Sequence, residues 1–312
     1  MSTPAFKLPS FAKINLSLRI LGRRADGYHE VRTVLQTVSL ADELSFYTRA
    51  GEKILLSCND PEIPLGEDNL IIRAARALRD RFGVRAGATI QLEKHIPTKG
   101  GLGGASSNAA MTLLGLARLW SVDISLSDLM EIAATLGADV PFFFLGGRAL
   151  ATGRGTDLKA LPDGDRKYLV IISPNATVST ARAYEALKAP ALTTLNDDSI
   201  LFISCAQEIS ELSHLCAPHN DFEEVIFASE PEIERARNSL LKVGAGGSLL
   251  AGSGSSVFGI FDNKQAQERA VDEIQAETGW RVFPAVTVSR HEYLQALGSC
   301  RVPLSRFEQS ET

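Results

Sequence analysis

The sequence predicts an α+β protein of two domains, and three observations carry that prediction. The chain has 312 residues, a length whose prior is two domains. An alternating strand runs through a cluster of glycines directly into a helical pattern at residues 88–120. In the second half, apolar segments follow one another as strand, helix, strand, strand, helix, strand, an order that suits an α+β sandwich on one antiparallel sheet.

Bulk properties narrow the class of function. Composition is that of a globular chain, 45% hydrophobic and 22% charged, and the formal net charge of −5 leaves no basic footprint for nucleic acid or an acidic membrane. Cys58, Cys205, Cys216 and Cys300 lie far apart without C-x-x-C spacing, which reads as free thiols in a reducing compartment. No apolar run approaches the ~18 residues needed to span a bilayer, and there is no room for a signal peptide before the first strand. A cytoplasmic protein is expected, with no nucleic-acid or membrane partner.

In chain order, residues 11–21 alternate. Ala12, Ile14, Leu16, Leu18 and Ile20 fall on one face, and Lys13, Asn15, Ser17 and Arg19 on the other, the pattern of a half-solvated strand. Asp26-Gly27 marks a turn, with Tyr28 and His29 directly after it. Residues 31–47 read as two more stretches of strand and 53–58 as another. Residues 69–81 form an amphipathic helix with Asn69 near its N-cap. In residues 88–96, Ile90, Leu92 and Ile96 oppose Gln91, Glu93 and His95. Gly100, Gly101, Gly103 and Gly104 follow, Ser106 and Ser107 stand at the expected N-cap, and Ala109, Ala110, Leu113, Leu114, Ala117 and Trp120 recur at helical spacing.

That junction has a chemistry of its own. A helix N-terminus leaves about four N–H groups unpartnered and carries roughly half a positive charge, and glycines let those groups wrap an anion. No G-K-[ST] follows, so this is not a Walker loop, and the dinucleotide fingerprint is incomplete at Ser106. A flexible glycine turn and a phosphate-binding loop both remain open on the local pattern.

Residues 125–136 read as a helix stopped by Gly137. Asp139 then sits in an apolar turn ahead of Pro141 and three phenylalanines. A carboxylate there is costly unless paired or used, so it is a cap, an ion pair, a base or a metal ligand. The polar turn at 161–167 sets the expected boundary, giving domains 1–165 and 166–302 with a polar tail at 303–312. The second half opens with a strand at 168–173 and a capped helix within 178–187. One helix is expected within 188–220, and others at 221–227, 231–242 and 264–278. A second glycine- and serine-rich turn at 252–256 separates apolar strands, and residues 280–288 close the sheet.

Taken together, PSFAKINLSLRILGRRADGYHEVRTV, IPTKGGLGGASSNAA, LGADVPFFFLGG, HNDFEEVIF and AGSGSSVFGIF resemble, in order and spacing, the GHMP kinase superfamily. Within it, the chain is similar to the 4-diphosphocytidyl-2-C-methyl-D-erythritol kinase family from about Pro9 to about Val288. The A-K-I-N-L strand with D-G-Y-H, and G-A-D-V-P-F, are the specific parts. The glycine loop alone points only to the superfamily.

The resemblance implies a two-domain GHMP kinase fold. Its N-terminal domain is ribosomal-protein-like with a left-handed βαβ unit, its C-terminal domain is ferredoxin-like, and the active site lies in the cleft between them. It implies transfer of a phosphoryl group from ATP, with Mg²⁺, to the 2-hydroxyl of 4-diphosphocytidyl-2-C-methyl-D-erythritol, a small-molecule step of the non-mevalonate pathway of isoprenoid biosynthesis. By the same resemblance Asp139 is the catalytic base and Lys13 lies beside it and the transferring phosphate. The nucleotide phosphate loop is Pro97, Thr98, Lys99, Gly100, Gly101, Leu102, Gly103, Gly104, Ala105, Ser106 and Ser107, with Asn69 beside the adenosine. Tyr28 and Tyr184 sandwich the cytosine, His29 bonds the base edge, and Asn15 and Thr180 line the methylerythritol end.

Two positions depart from the family pattern. Thr98-Lys99 stands where a small or apolar residue and glycine are common, and Asn108 where aspartate is. No second acidic residue stands out as a magnesium ligand, so the metal site is left unassigned. A monomer or weak homodimer is expected. Competing readings are another small-alcohol kinase of the superfamily, or a non-catalytic nucleotide-binding regulator on the same scaffold.

Overall fold

The structure, a computed structural model, describes residues 3–192, 218–275 and 279–300. Two sheets organise the described residues. The first has seven strands, ordered β3-β4-β2-β1-β8, with β5 on β2 and β6 on β5. Its strands are β1 (Phe6–Arg23), β2 (His29–Arg49), β3 (Ile54–Cys58), β4 (Gly87–Glu93), β5 (Arg148–Thr152), β6 (Asp157–Ala160) and β8 (His219–Asn220). The second has four, β7 (Tyr168–Ser173), β9 (Gly247–Leu250), β10 (Val257–Phe261) and β11 (Arg281–Val286), in the order β11-β7-β10-β9 with every neighbour antiparallel. In chain order these are strands 4-1-3-2, the ferredoxin-like arrangement.

Helices α1 (Leu70–Phe82), α2 (Gly104–Leu119) and α3 (Leu126–Leu136) cover the first sheet, and the short α4 (Phe142–Leu145) plugs beneath α2. Leu44, Phe46, Ile90, Leu113, Leu116 and Phe142–Leu145 meet there in the first core. Helices α5 (Thr180–Leu187), α6 (Glu223–Ser229), α7 (Pro231–Lys242) and α8 (Lys264–Gln275) pack against the second sheet. Alternation within β7 divides its work: Val170 and Ile172 enter that helical core, while Leu169 and Ile171 meet Ala12, Ile14 and Val38 of the first sheet in a third core. The two sheets are therefore glued by the apolar face of β1, which leaves Lys13 and Asn15 on the opposite face.

The parallel pair β3 and β4 with α1 between them is the βαβ unit of the first sheet. Asn69 caps α1 as its sequence position suggests, its side chain accepting from the Ile71 N–H. The last helix, α9 (Arg290–Leu297), returns to the first core, where Tyr293 is fully buried and donates to the Phe143 carbonyl.

Four expectations need correction. Residues 29–49 form one strand instead of two, because Phe11 pairs Ala41 while Ala12 pairs Val38. The register shift lets β2 pass through its polar break as a bulge. Helix α2 begins at Gly104, so Ser106 and Ser107 lie inside its first turns. Gly103 holds the N-cap in the left-handed region at φ 71° with no side-chain cap bond. Ser179 precedes α5 but makes no capping bond either, and α6 starts at Glu223 instead of residue 221. The helix expected within 188–220 lies largely outside the described residues. So do the end of the 264–278 helix, Cys205, Cys216 and the tail at 303–312.

Candidate active site

Strand β1 delivers Lys13 into the cleft between the sheets' ends, where it is 4% exposed. Its Nζ donates to Asn15 Oδ1 at 2.9 Å and lies 3.4 Å from Asp139 Oδ2. Asn15 Nδ2 donates in turn to Thr33 Oγ1 at 2.7 Å, and that hydroxyl donates to the Ser17 carbonyl at 2.7 Å. A buried ammonium is stable only with such acceptors around it. Asp139 itself is not buried as its apolar neighbours suggested; its side chain is 39% exposed. The phenylalanines after Pro141 point into the core and anchor the turn, which frees the carboxylate to face the cleft.

The glycine loop is locked against the second glycine turn. Ser255 N–H donates to the Lys99 carbonyl at 3.3 Å and Ser256 N–H to the Gly100 carbonyl at 3.2 Å, while Lys13 N–H holds the Leu102 carbonyl at 2.9 Å. Gly101, at φ +74°, would place a Cβ 1.9 Å from the Ala251 carbonyl oxygen, and a Cβ on Gly103 would sit 2.9 Å from Lys13 Cγ. These two glycines are required by contact as well as by backbone sign. Lys99 also adopts a left-handed φ of 57°.

Two clefts meet at this loop. One, of about 270 Å³, is lined by Asn69, Lys94, Asn108 and every residue from Pro97 to Ser106. The other, of about 320 Å³, is lined by Lys13, Asn15, Asp139, Arg154, Thr180 and Tyr184. Gly101, Gly103 and Ser106 belong to both. A larger cavity of about 710 Å³ lies alongside, between α5 and α6, but neither Lys13 nor Asp139 lines it; both line the 320 Å³ cleft. Ser107 lies deeper than the rest of the loop, accepting from Ser10 Oγ at 2.8 Å.

Tyr28 and Tyr184, expected on the two faces of a cytosine, stand in different surroundings. Tyr184 stacks on His29, with ring centres 4.5 Å apart and planes at 23°, and meets Phe222 edge-on at 4.9 Å. Tyr28 is 52% exposed and carries the Arg154 guanidinium 3.4 Å above its ring. The structure thus brings His29 to Tyr184 and leaves Tyr28 with Arg154. Burial, and then the Asp139 charge, push the Tyr184 phenol up to about 12, so it remains protonated. Burial, and then the Arg23 charge, hold the His29 imidazole below its usual range. Thr180 Oγ1 is 2.9 Å from Ser253 Oγ, which ties α5 to the second glycine turn. Asn69 accepts from Ile71 N–H at 2.8 Å and donates to the Pro64 carbonyl at 2.7 Å.

Four contributors escaped sequence reasoning. Arg154 stands between Gly153 and Gly155, a pattern that looks like a turn. Glu30 accepts from Gly153 N–H at 2.9 Å and pairs with Arg24, fastening the Tyr28 hairpin to the Arg154 loop. Asn220 donates to the Leu250 and Gly252 carbonyls at 2.8 and 2.7 Å and accepts from Phe222 N–H at 3.0 Å. Asp42, fully buried, receives the Asn108 amide at 3.0 Å. Its only trace in the sequence is a broken alternation. Among the described residues no three His, Cys, Asp or Glu side chains gather into a metal site, and no helix is long and apolar enough to cross a membrane.

Comparison with known proteins places this geometry. Residues 69–147 match the profile of the GHMP kinases N terminal domain and residues 200–279 that of the GHMP kinases C terminal domain. The 4-diphosphocytidyl-2-C-methyl-D-erythritol kinase of Syntrophotalea carbinolica is 40% identical over 280 residues, covering 89% of this chain and 97% of its own. That of Syntrophus aciditrophicus is 42% identical over 277 residues, with 89% and 97% covered. A crystal structure of a 4-(cytidine 5'-diphospho)-2C-methyl-D-erythritol kinase superposes with a TM-score of 0.72 at 33% identity, covering 90% of this chain and 99% of that one. The chain belongs to the GHMP kinases and, among them, to the 4-diphosphocytidyl-2-C-methyl-D-erythritol kinase family.

Proposed function

We propose that the protein phosphorylates the 2-hydroxyl of 4-diphosphocytidyl-2-C-methyl-D-erythritol with ATP, releasing the 2-phosphate and ADP, as a step in making isoprenoid precursors. The observation that carries this reading is the junction of the two clefts at Gly101, Gly103 and Ser106, beside the Lys13–Asp139 pair. A donor in the first cleft and an alcohol in the second would meet there.

Phosphoryl transfer asks for positioning and charge stabilisation more than covalent work. In this reading ATP lies in the cleft from Asn69 to the glycine loop, with its phosphates on the free amides at the start of α2. Asp139 orients the 2-hydroxyl and accepts its proton as the O–P bond forms. Lys13, fixed by Asn15, keeps that carboxylate ionised and offsets charge on the transferring phosphoryl oxygens. Asn15 and Thr180 line the methylerythritol end, and Tyr28, His29 and Tyr184 take the cytosine. Each base–aromatic stack contributes about 1–3 kcal/mol. His29 already lies on Tyr184, so the ring must slide aside or act as one face of the slot itself.

Magnesium suits the donor chemistry here, because Mg²⁺ takes hard oxygen ligands and is held largely by substrate phosphates with one or two carboxylates. The Ser106 hydroxyl, which lines both clefts, is the group of this chain that would help hold it. When bound it supplies charge neutralisation on the β- and γ-phosphate oxygens. We further propose a cytoplasmic monomer or weak homodimer, with the domain boundary at the 161–167 turn, before the first strand of the second sheet.

The test is ADP release with Mg-ATP, coupled to NADH oxidation. The cytidyl alcohol is compared with homoserine, mevalonate and galactose. Turnover with the cytidyl substrate alone is expected; turnover with another alcohol, or with none, would overturn the substrate assignment.

A further inference from the structure

Asp42 lies on β2, takes no part in the chemistry proposed above, and has a fully buried carboxylate. Both of its oxygens are used twice. Oδ1 accepts the His95 and Ile96 backbone N–H groups, each at 2.8 Å. Oδ2 accepts Lys94 Nζ at 2.8 Å and Asn108 Nδ2 at 3.0 Å. Residues 94–96 are the segment by which the chain leaves β4 and enters the glycine loop. Asn108 stands on α2, where the chain has left that loop. One carboxylate therefore clamps both ends of the phosphate loop.

The surroundings show why a carboxylate is needed there. Lys94 is 7% exposed at its side chain, and burial pulls its ammonium below the usual range while Asp42 opposes that pull. Its Nζ also donates to the Ile96 carbonyl and lies 3.3 Å from where a Cβ on Gly104 would be, at the positive end of α2. A cation beside a helix N-terminus is unfavourable without a counter-charge. Lys94 and Asn108 both line the cleft of the glycine loop, and Asn108 Oδ1 is buried with no hydrogen-bond partner among the described residues.

We infer that Asp42 is a positioning residue for the nucleotide: acting through Lys94, Asn108 and the His95 and Ile96 amides, it sets the spacing of the phosphate loop and so the affinity for a nucleoside di- or triphosphate. This rests on the assignment of that cleft to ATP. Asp42 touches no substrate. It also explains Asn108, since a second carboxylate at that position would face Asp42 Oδ2 across a 3.0 Å contact, where like charges repel. The neutral amide is the partner this site accepts.

The test is equilibrium binding of a fluorescent ADP analogue to the full chain with no alcohol present, alongside the melting temperature and the two KM values. Asp42→Asn sets a new amide against Lys94 and the Asn108 amide, leaving donors face to face. We expect nucleotide affinity to fall about tenfold, with KM for the alcohol unchanged. The exchange Asp42→Asn with Asn108→Asp restores the hydrogen bond between the two side chains but not the acceptor of Lys94, so it should recover part of that loss. Asn108→Ala removes one partner of Asp42 without touching the His95 and Ile96 backbone donors; it should also weaken nucleotide binding, and it supplies the reading should Asp42→Asn not fold. Unchanged nucleotide affinity in the folded variants, or an exchange variant as weak as Asp42→Asn, overturns the inference. A wild-type chain that binds no nucleotide would instead overturn the assignment of the cleft to ATP.

Discussion

Lys13 comes from the first strand and Asp139 from the turn ahead of α4, and their 3.4 Å approach is what the proposed chemistry depends on. Removing the Asp139 charge leaves Lys13 with Asn15 as its partner, so Asp139→Asn should fold normally. Its kcat is expected to fall about 10²–10⁴-fold, the usual contribution of a positioned base, with KM for ATP little changed in steady-state assays. His29 gives a pH dependence. Its imidazole is held below the usual value of 6.5, so it is neutral at pH 7. A group that resists protonation in the folded state contributes stability that is present above its unfolded pKa and lost as pH falls below it. Folding stability should therefore decline as pH drops below about 6.5. In the proposed reading the neutral ring also meets the base edge, so KM for the alcohol should rise over the same range, and His29→Gln should flatten both trends. Alternation and an odd carboxylate mark Lys13, Asn15 and Asp139 in the sequence, and the structure brings these three side chains together. The Arg154 guanidinium over Tyr28 belongs to a distant loop, and no local pattern announces such a contact.

At the scale of elements, the glycine loop works because it is pressed against the second glycine turn. Gly101→Ala would force a Cβ into the Ala251 carbonyl, at a left-handed φ of +74°. The backbone strain alone costs about 1–2 kcal/mol, or about a tenfold change in an equilibrium. Nucleotide affinity in a titration should fall by at least that, with helix content by circular dichroism retained. Asn69→Ala tests the other wall of the same cleft. Losing the α1 cap costs about 1 kcal/mol, and the variant should show that decrease in urea unfolding together with a raised KM for ATP. Element order and most boundaries were legible, since periods of two and of 3.6 are written along β1, β4, α1 and α3. The start of α2 was not. Serine preference suggested a cap at Ser106 or Ser107, but the left-handed turn at Gly103 decides where the helix begins. The bulge in β2 was hidden for a similar reason, because a register shift is a property of the strand pair and not of either strand.

Among the described residues, the two sheets share a core and are also tied by several polar joints, such as Val286 N–H to Ser39 Oγ and Val288 N–H to the Thr37 carbonyl, each at 2.9 Å. Asn220 is another: it sits on β8 beside β1 and ties down the Leu250 and Gly252 carbonyls of the second sheet's glycine turn. Asn220→Ala leaves three buried backbone groups without their partner, each costing about 1–3 kcal/mol. A fall in melting temperature of several degrees is expected, with kcat/KM dropping because that turn supports the phosphate loop. A melting temperature equal to wild type would show the joint to be dispensable. Within the C-terminal half, Thr180–Ser253 ties α5 to the same glycine turn. Neither contact with that turn could be found by scanning one segment at a time, because their partners are backbone carbonyls or a hydroxyl far along the chain.

The most direct test of the phosphoryl-transfer account is a rapid-quench single turnover with radiolabelled ATP and saturating 4-diphosphocytidyl-2-C-methyl-D-erythritol, in the wild type and in Asp139→Asn. The geometry predicts that both proteins bind both ligands and that label reaches the alcohol about 10²–10⁴-fold more slowly in the variant. Transfer at the wild-type rate in a folded, ligand-bound Asp139→Asn would contradict the role of the Lys13–Asp139 pair.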